Sequence, residues 1–248
     1  MRIAISGTAC QGKSTLINDM LTEWPMYKKV ESSYRKKIKE NQLKHSKETT
    51  EEVQWNILNC LIDDLQANSD KTGYVIHDRC PLDNIVYSIW ANAKNPNNIS
   101  DEFIKKCIPL VRESMRHLDI IFFIPITRVS PVKVEPREDR EADSEYIKEI
   151  DHIFKSILHQ LIRTGVSVFF PKDDSPGVIE VFGAPLERIQ LIRYYLNAYG
   201  DLIGGDGKDS LLTPDAIENL TKLIDEQKEL KGMEDKEKDL YKKFVLGQ

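Results

Sequence analysis

The chain has 248 residues, 40% of them hydrophobic, which suffices for one α/β domain with an appendage or for two small domains. Its net charge of −5 is carried mostly by residues 201–248, with eight Lys/Arg against twelve Asp/Glu, so the first 200 residues are close to neutral. No apolar run approaches the roughly 18 residues of a membrane span, and the opening Met1-Arg-Ile-Ala-Ile reads into a buried strand rather than a leader.

Residues 2–6 are expected to form a short apolar strand that ends in a glycine-rich loop, and Leu16, Ile17, Met20 and Leu21 give the helix that follows one buried face. Trp24-Pro25 ends that helix. Residues 27–30 read as a second short strand leading to Glu31, inside a basic stretch over 28–48 that holds Lys28, Lys29, Arg35, Lys36, Lys37, Lys39, Lys44 and Lys47. Such a run is either a solvated face or a surface for a phosphate-bearing partner. Thr49-x-x-Glu52 reads as a capping box opening a helix with Val53, Ile57, Leu58, Leu61, Ile62 and Leu65 inward. Residues 74–77 are the next strand, ending at Asp78-Arg79.

A helix is expected over 85–93 and another after Ser100, with Phe103, Ile104, Cys107, Ile108 and Val111 inward. Residues 118–124 are an uninterrupted apolar strand of the kind buried on both faces. Residues 127–143 are polar, charged and without periodicity, long enough for a lid. A strong amphipathic helix follows over 144–163, Gly165 ends it, and residues 166–170 are expected to be the last strand, with a closing helix at 185–195. This alternation predicts an α/β fold of three layers, a parallel sheet with helices on both faces. Residues 1–199 then form the domain, 200–212 a linker, and 213–248 a charged helical appendage that packs on the domain, packs on a second subunit of a homodimer, or is simply solvated.

Gly7-Thr-Ala-Cys-Gln-Gly12-Lys13-Ser14 fits G-x-x-x-x-G-K-[ST] between an apolar strand and an amphipathic helix, the arrangement that cradles a nucleoside triphosphate. The two glycines let successive N–H groups converge on the phosphates, and the helix beginning near Lys13 adds the positive end of its dipole. Lys13 brings a cation to the β- and γ-oxygens, and the Ser14 hydroxyl ligates Mg²⁺. The expected cofactor-binding residues are Gly7, Thr8, Ala9, Cys10, Gln11, Gly12, Lys13, Ser14 and Thr15, and the cofactors ATP and Mg²⁺. No Asn-Lys-x-Asp guanine signature is present, so ATP is the default nucleotide.

Asp78 should lie at the carboxyl edge of the sheet, where ligands bind in such folds, and can hold Mg²⁺ or accept a proton. Arg79 beside it can grip an acceptor phosphate or the transferring group. Glu31 is either a general base facing the acceptor or one half of an i,i+4 ion pair with Arg35. Gln54 can contact a base through its amide, whereas Trp55 falls near the buried stripe and reads as core. Arg137 and Arg140 give the 127–143 loop two guanidinium groups for covering a triphosphate. The cysteines Cys10, Cys60, Cys80 and Cys107 show neither pairing nor metal-ligand spacing, and read as reduced thiols of a cytoplasmic protein.

With these residues placed, the chain resembles the P-loop nucleoside and nucleotide kinases, in particular ribosylnicotinamide kinases, deoxynucleoside kinases and phage-type nucleotide kinases. The likeness rests on Gly7–Ser14, Glu31-Ser-Ser-Tyr-Arg35, Asp78-Arg-Cys-Pro-Leu-Asp83, the Arg137/Arg140 loop and the segment Val181-Phe-Gly-Ala-Pro-Leu-Glu-Arg188. It implies transfer of the γ-phosphoryl group of ATP to a nucleoside or nucleotide. In its terms Glu31 or Asp78 is base or metal ligand, Arg79 faces both substrates, and Arg137 and Arg140 close on ATP. Two alternatives stay open: a kinase acting on a hydroxymethylated base in DNA, which the basic stretch favours, and a nucleotide-hydrolysing switch. The strand at 118–124 ends in Pro125 without a carboxylate, which counts against the switch.

Overall fold

The computed structural model describes residues 1–40, 48–70, 72–127 and 143–203. Five strands, β1 (Arg2–Ser6), β2 (Lys28–Lys29), β3 (Val75–Asp78), β4 (Ile120–Phe123) and β5 (Gly177–Glu180), form one sheet in the order β2-β3-β1-β4-β5. Every pairing is parallel, and β1 lies between β3 and β4 with Ile5 opposite both Asp78 and Phe122. The helices are α1 (Lys13–Glu23), α2 (Ser33–Glu40), α3 (Glu51–Ala67), α4 (Pro81–Lys94), α5 (Asp101–Ser114), α6 (Ser144–Thr164) and α7 (Pro185–Ile192).

Side chains alternate across a strand, so the sheet must bury two faces if both are apolar. Ala4, Ile121 and Phe123 join the cluster built with Leu58 of α3, Ile85 and Val86 of α4, and Phe154 and Leu158 of α6. The intervening Ile3, Ile5, Ile120 and Phe122 are also fully buried, on the opposite face, as are Leu16, Ile17 and Met20 of α1. This is the expected three-layer α/β arrangement. Residues 1–194 and 198–200 form this compact unit. A second unit comprises 195–197 and the residues from 201 onward, and its described part holds one antiparallel bridge, Leu196 to Leu202.

Three expectations need correcting. Residues 166–170 are not a strand: Val166 and Val168 are 60% and 56% exposed. The Thr164 and Ser167 hydroxyls accept from the backbone N–H groups of Val166 and Phe169, local bonds that compete with a sheet ladder. The outer edge of β4 is instead taken by Gly177–Glu180, whose half-exposed residues carry a weak apolar signal. Second, the cap of α3 is Thr50, whose hydroxyl accepts from the N–H of Val53, whereas Thr49 is buried and accepts from the Gln54 amide. Third, α4 begins at Pro81 rather than at 85, because Pro81 suits the first helical position and Asp83 caps the free N–H of Cys80. The linker beyond 203 and the charged appendage lie outside the described residues, as does most of the 127–143 loop.

Candidate active site

The glycine-rich loop joins β1 to α1. Gly7 has a φ of 139°, and a Cβ there would meet the Ile124 carbonyl oxygen at 2.8 Å, so a side chain is excluded by backbone. Gly12, at φ 74°, is the residue from which α1 starts, with no side-chain cap and no acidic residue in the first turn. The helix therefore presents unneutralised N–H groups to an anion. Cys10 also takes a left-handed φ of 61°.

Lys13 is buried and bends back to donate to the carbonyls of Gly7 at 2.8 Å and Thr8 at 2.5 Å. Burial, helped by the nearby Arg79 charge and opposed by Asp83 and Asp78, pulls its pKa down to about 7. A polyphosphate would relieve that destabilised charge. Ser14 is half-buried and Thr15 exposed on the first turn of α1. Within the loop, Thr8 Oγ1 and Gln11 Oε1 are buried polar atoms with no hydrogen bond.

The carboxyl end of β3 supplies the second half of the site. Asp78 is buried; its Oδ2 accepts from Arg35 Nη2 at 2.9 Å, and its Oδ1 is buried with no hydrogen bond. Arg35 thus pairs with Asp78, while Glu31 stands exposed between Val30 and Ser32, which line a small cavity with His77, Asp78 and Arg79. Arg79 follows at φ 85°, a left-handed conformation costing on the order of 1–2 kcal/mol for a residue with a Cβ. Its guanidinium donates to Asp83 Oδ1 at 3.1 Å and Tyr87 Oη at 3.3 Å and lies 5.0 Å from the Tyr87 ring centroid.

Asp83 ties the two halves together. It is 1% exposed, and its Oδ2 accepts from Ser6 Oγ at 2.7 Å and the Cys80 N–H at 3.1 Å. Its Oδ1 accepts from Arg79 and, at 3.4 Å, from the Gly7 N–H. One carboxylate thus touches the end of β1, the glycine loop, the start of α4 and the Arg79 side chain. Arg188 of α7 fastens the loop from the other side, donating to the Gln11 carbonyl at 2.7 Å and the Gly183 carbonyl at 2.9 Å.

Asp83 and Arg188 close the segments Asp78–Asp83 and Val181–Arg188, where no local pattern sets them apart from their neighbours. The one signal for Asp83 is its place as third residue of a helix opened by Pro81. Gln54 is buried, its Nε2 donating to Thr49 and its Oε1 accepting from Asn84 at 2.6 Å, so both ends of the amide are engaged internally. Trp55 is half-buried, edge-on to Phe103, with Lys106 Nζ 3.9 Å from its ring centroid. All four cysteines are free thiols, and burial beside Asp83 pushes Cys80 up to about 12, an inert thiol. Arg137 and Arg140 lie outside the described residues.

A hard cation such as Mg²⁺ usually takes only one or two protein oxygens and keeps water and phosphate as its other ligands. The half-buried Ser14 hydroxyl and the unpartnered Asp78 Oδ1 fit that demand, and among the described residues no group of three or more His, Cys, Asp or Glu forms a metal cage.

A family model described as an AAA domain matches residues 2–169. The chain belongs to that family. No curated protein matches this AAA-domain chain closely enough to count as a relative. Its fold is that of solved P-loop kinases. A NadR structure in complex with NR superimposes with a TM-score of 0.54 at 17% identity over 78% of this chain and 50% of that one. Deoxyadenosine kinase from M. mycoides, with products dCMP and a flexible dCDP bound, gives 0.52 at 19% over 78% and 97%. Thymidylate kinase from Candida albicans gives 0.54 at 19% over 77% and 89%. The AAA-domain chain therefore spans about half of the NadR chain but nearly all of the deoxyadenosine kinase. No helix among its described residues is long and apolar enough to cross a membrane.

Proposed function

We propose that this AAA-domain protein is an ATP-dependent phosphotransferase that moves the γ-phosphoryl group of ATP to a hydroxyl or phosphate of a nucleoside or nucleoside monophosphate. The observation that carries the reading is the buried network joining the glycine loop to the end of β3. Asp83 contacts both Gly7 and Arg79, and Lys13 responds to the charges of Arg79, Asp83 and Asp78. A loop built for a triphosphate thus shares one electrostatic neighbourhood with an arginine and a carboxylate on the acceptor side.

The backbone of Gly7–Ser14 and the start of α1 bind the phosphates, and Lys13, released from the Gly7 and Thr8 carbonyls, neutralises the β- and γ-oxygens. Ser14 and, through water, Asp78 would hold Mg²⁺, whose chemistry is to neutralise phosphate charge during transfer. Asp78 Oδ1 keeps a lone pair for the proton of the acceptor. As the acceptor oxygen forms its bond to the γ-phosphorus, the bond to the β,γ-bridging oxygen breaks and ADP leaves with that electron pair. Arg79, held by Asp83 and Tyr87, offers fixed positive charge to the group in transit. Arg137 and Arg140 are proposed as the cations that close over ATP, and Arg35 as the residue that aims Asp78. Glu31 is the alternative base, favoured less because it is exposed while its neighbours line the cavity. Likeness in fold to nucleoside and nucleotide kinases supports the reading and gives no support to a DNA acceptor or a switch.

The test is transfer of label from γ-labelled ATP to a panel of nucleosides, nucleoside monophosphates and hydroxymethylated DNA, with Lys13→Ala as control. Label should appear on a nucleoside or nucleotide and vanish with Lys13→Ala. Binding of MgATP without any labelled acceptor, or hydrolysis stimulated only by another protein, refutes the reading.

A further inference from the structure

Three carboxylates are buried among the described residues, and two of them, Asp78 and Asp83, belong to the site. The third is Asp151 of α6, 1% exposed, and the phosphotransfer chemistry does not use it. A charge is expensive to bury unless it is paired and hydrogen-bonded. Asp151 is both. Its Oδ2 pairs with Lys155 Nζ at 2.6 Å, one helical turn on, and its Oδ1 accepts from the backbone N–H of Ile126 at 2.9 Å. Lys155 Nζ also donates to the Ile126 carbonyl at 2.7 Å. Two side chains and the backbone of one residue thus close a ring, and α6 holds both polar groups of Ile126.

Ile126 lies just past the end of β4, where the chain leaves the sheet. Two residues before it, the Ile124 N–H donates to the Ser6 carbonyl at 3.0 Å, and the Ile124 carbonyl is the atom that a Cβ on Gly7 would meet. Between them stands Pro125, whose ring fixes its own φ at about −65° and restricts the residue before it to extended backbone. The link is short and stiff. A hold on the Ile126 backbone is therefore a hold on the Ile124 carbonyl, the wall against which the glycine loop turns.

We infer that Asp151 and Lys155 are positioning residues for the glycine loop: by gripping the Ile126 backbone they fix the Ile124 carbonyl behind Gly7 and keep the loop in its phosphate-binding shape. From the phosphotransferase reading this takes only the identity of the ligand, a nucleoside triphosphate. The clamp itself rests on three short contacts, the burial of Asp151 and the stiffness of Pro125.

A pair that merely stabilises the fold is told apart by the choice of variants. Replacing a buried ion pair by apolar residues of similar size is often neutral for stability, whereas removing one partner strands the other. Asp151→Leu combined with Lys155→Met removes both charges at once, and the half-buried Ile126 can turn its backbone to water. In the full chain this double variant should melt close to the wild type yet bind a non-hydrolysable ATP analogue with Mg²⁺ about tenfold more weakly in calorimetric titration. Lys155→Arg keeps a donor for the Ile126 carbonyl and should bind the analogue as the wild type does. Amide hydrogen exchange without nucleotide supplies a second readout: the Gly7–Ser14 amides should exchange about tenfold faster in the double variant, while those of β3 keep their rates. If the double variant does not fold, Lys155→Met alone, at a partly exposed position, carries both measurements. Analogue affinity that recovers together with stability, or loop exchange that does not change, overturns the inference. The two readings fail separately. A wild-type chain that binds no nucleotide sinks the phosphotransferase and leaves loop exchange to decide the clamp, whereas clamp-dependent binding with no labelled acceptor sinks the phosphotransferase and spares the clamp.

Discussion

Replacing Asp83 by Asn changes almost no volume but reverses one end of a buried acceptor. The carboxylate takes five hydrogen bonds, from Ser6, Gly7, Arg79 and both the N–H and, at 3.8 Å, the Sγ of Cys80. An Asn amide must point its NH₂ either at Gly7 and Arg79, which are both donors, or at Cys80 and Ser6. The second choice costs less, because the Ser6 hydroxyl can turn round and accept. It still strands the Cys80 N–H, at about 1–3 kcal/mol. In either orientation the Arg79 side chain, 16% exposed, loses its counter-charge. Breaking a buried pair by removing one partner costs roughly 3–5 kcal/mol. With Tyr87 and partial solvent left to Arg79, a total of about 3 kcal/mol is expected, or roughly 6–12 °C in Tm for a domain of this size. Thermal unfolding followed by circular dichroism at neutral pH and low salt measures it. Arg79→Met alone and combined with Asp83→Asn closes a double-mutant cycle, in which the double variant should lose about 1–2 kcal/mol less than the sum. A Tm drop under about 3 °C, or strict additivity, would show that Asp83 is not the tie between loop and arginine.

Gly7→Ala should abolish nucleotide binding and lower stability, because its Cβ meets a backbone oxygen. Gly12→Ala should be milder, since its Cβ meets only the Arg188 guanidinium at 3.1 Å; equal losses in binding titrations refute the difference. With Lys13 at about 7 in the free protein, a bound triphosphate pulls its pKa upward, so MgATP binding at pH 8 should take up close to one proton and at pH 6 almost none. Binding heats at pH 8 that are the same in buffers of different ionisation enthalpy would refute this. His77 is held near 4 by burial, below the 6.5 of an unfolded histidine, so between these values the unfolded chain binds the extra proton. Stability therefore falls as pH drops from 6.5 to 4, by about 3 kcal/mol in all, and His77→Leu should flatten that part of the denaturation profile. An unchanged slope would show that His77 does not titrate this way.

The alternation of apolar strand and amphipathic helix was strong enough to announce the three-layer sheet, because β1 and β4 are buried on both faces and read as continuous apolar runs. The sequence was misleading at the sheet's far edge. Val166-Ser-Val168-Phe169-Phe170 has the composition of a strand, but its hydroxyl-bearing neighbours turn the chain, while the true strand Gly177–Glu180 is short and half-exposed. The glycine loop was legible because its spacing is set by local backbone geometry. Asp78 and Arg79 were legible because a strand end is a predictable place. Asp83 and Arg188 were not, for one physical reason: each matters through partners far away in the chain. Asp83 reaches Ser6 across 77 positions and Arg188 reaches Gln11 across 177, and no periodicity carries that information.

Which strand holds the carboxylate bears on what the loop is for. β1 has two neighbours in the sheet, and they are used differently. The end of β4 meets the glycine loop through backbone alone, with the Ile124 N–H donating to the Ser6 carbonyl and the Ile124 carbonyl crowding Gly7, and Pro125 follows without a side chain able to hold a metal or a proton. The end of β3 supplies Asp78, and β3 is the strand flanked by β2, whose continuation brings Val30 and Ser32 to the same cavity. The acidic group therefore sits on the strand that lies between β1 and β2. The end of β3, and not that of β4, is therefore where an acidic side chain stands within reach of the charge on Lys13.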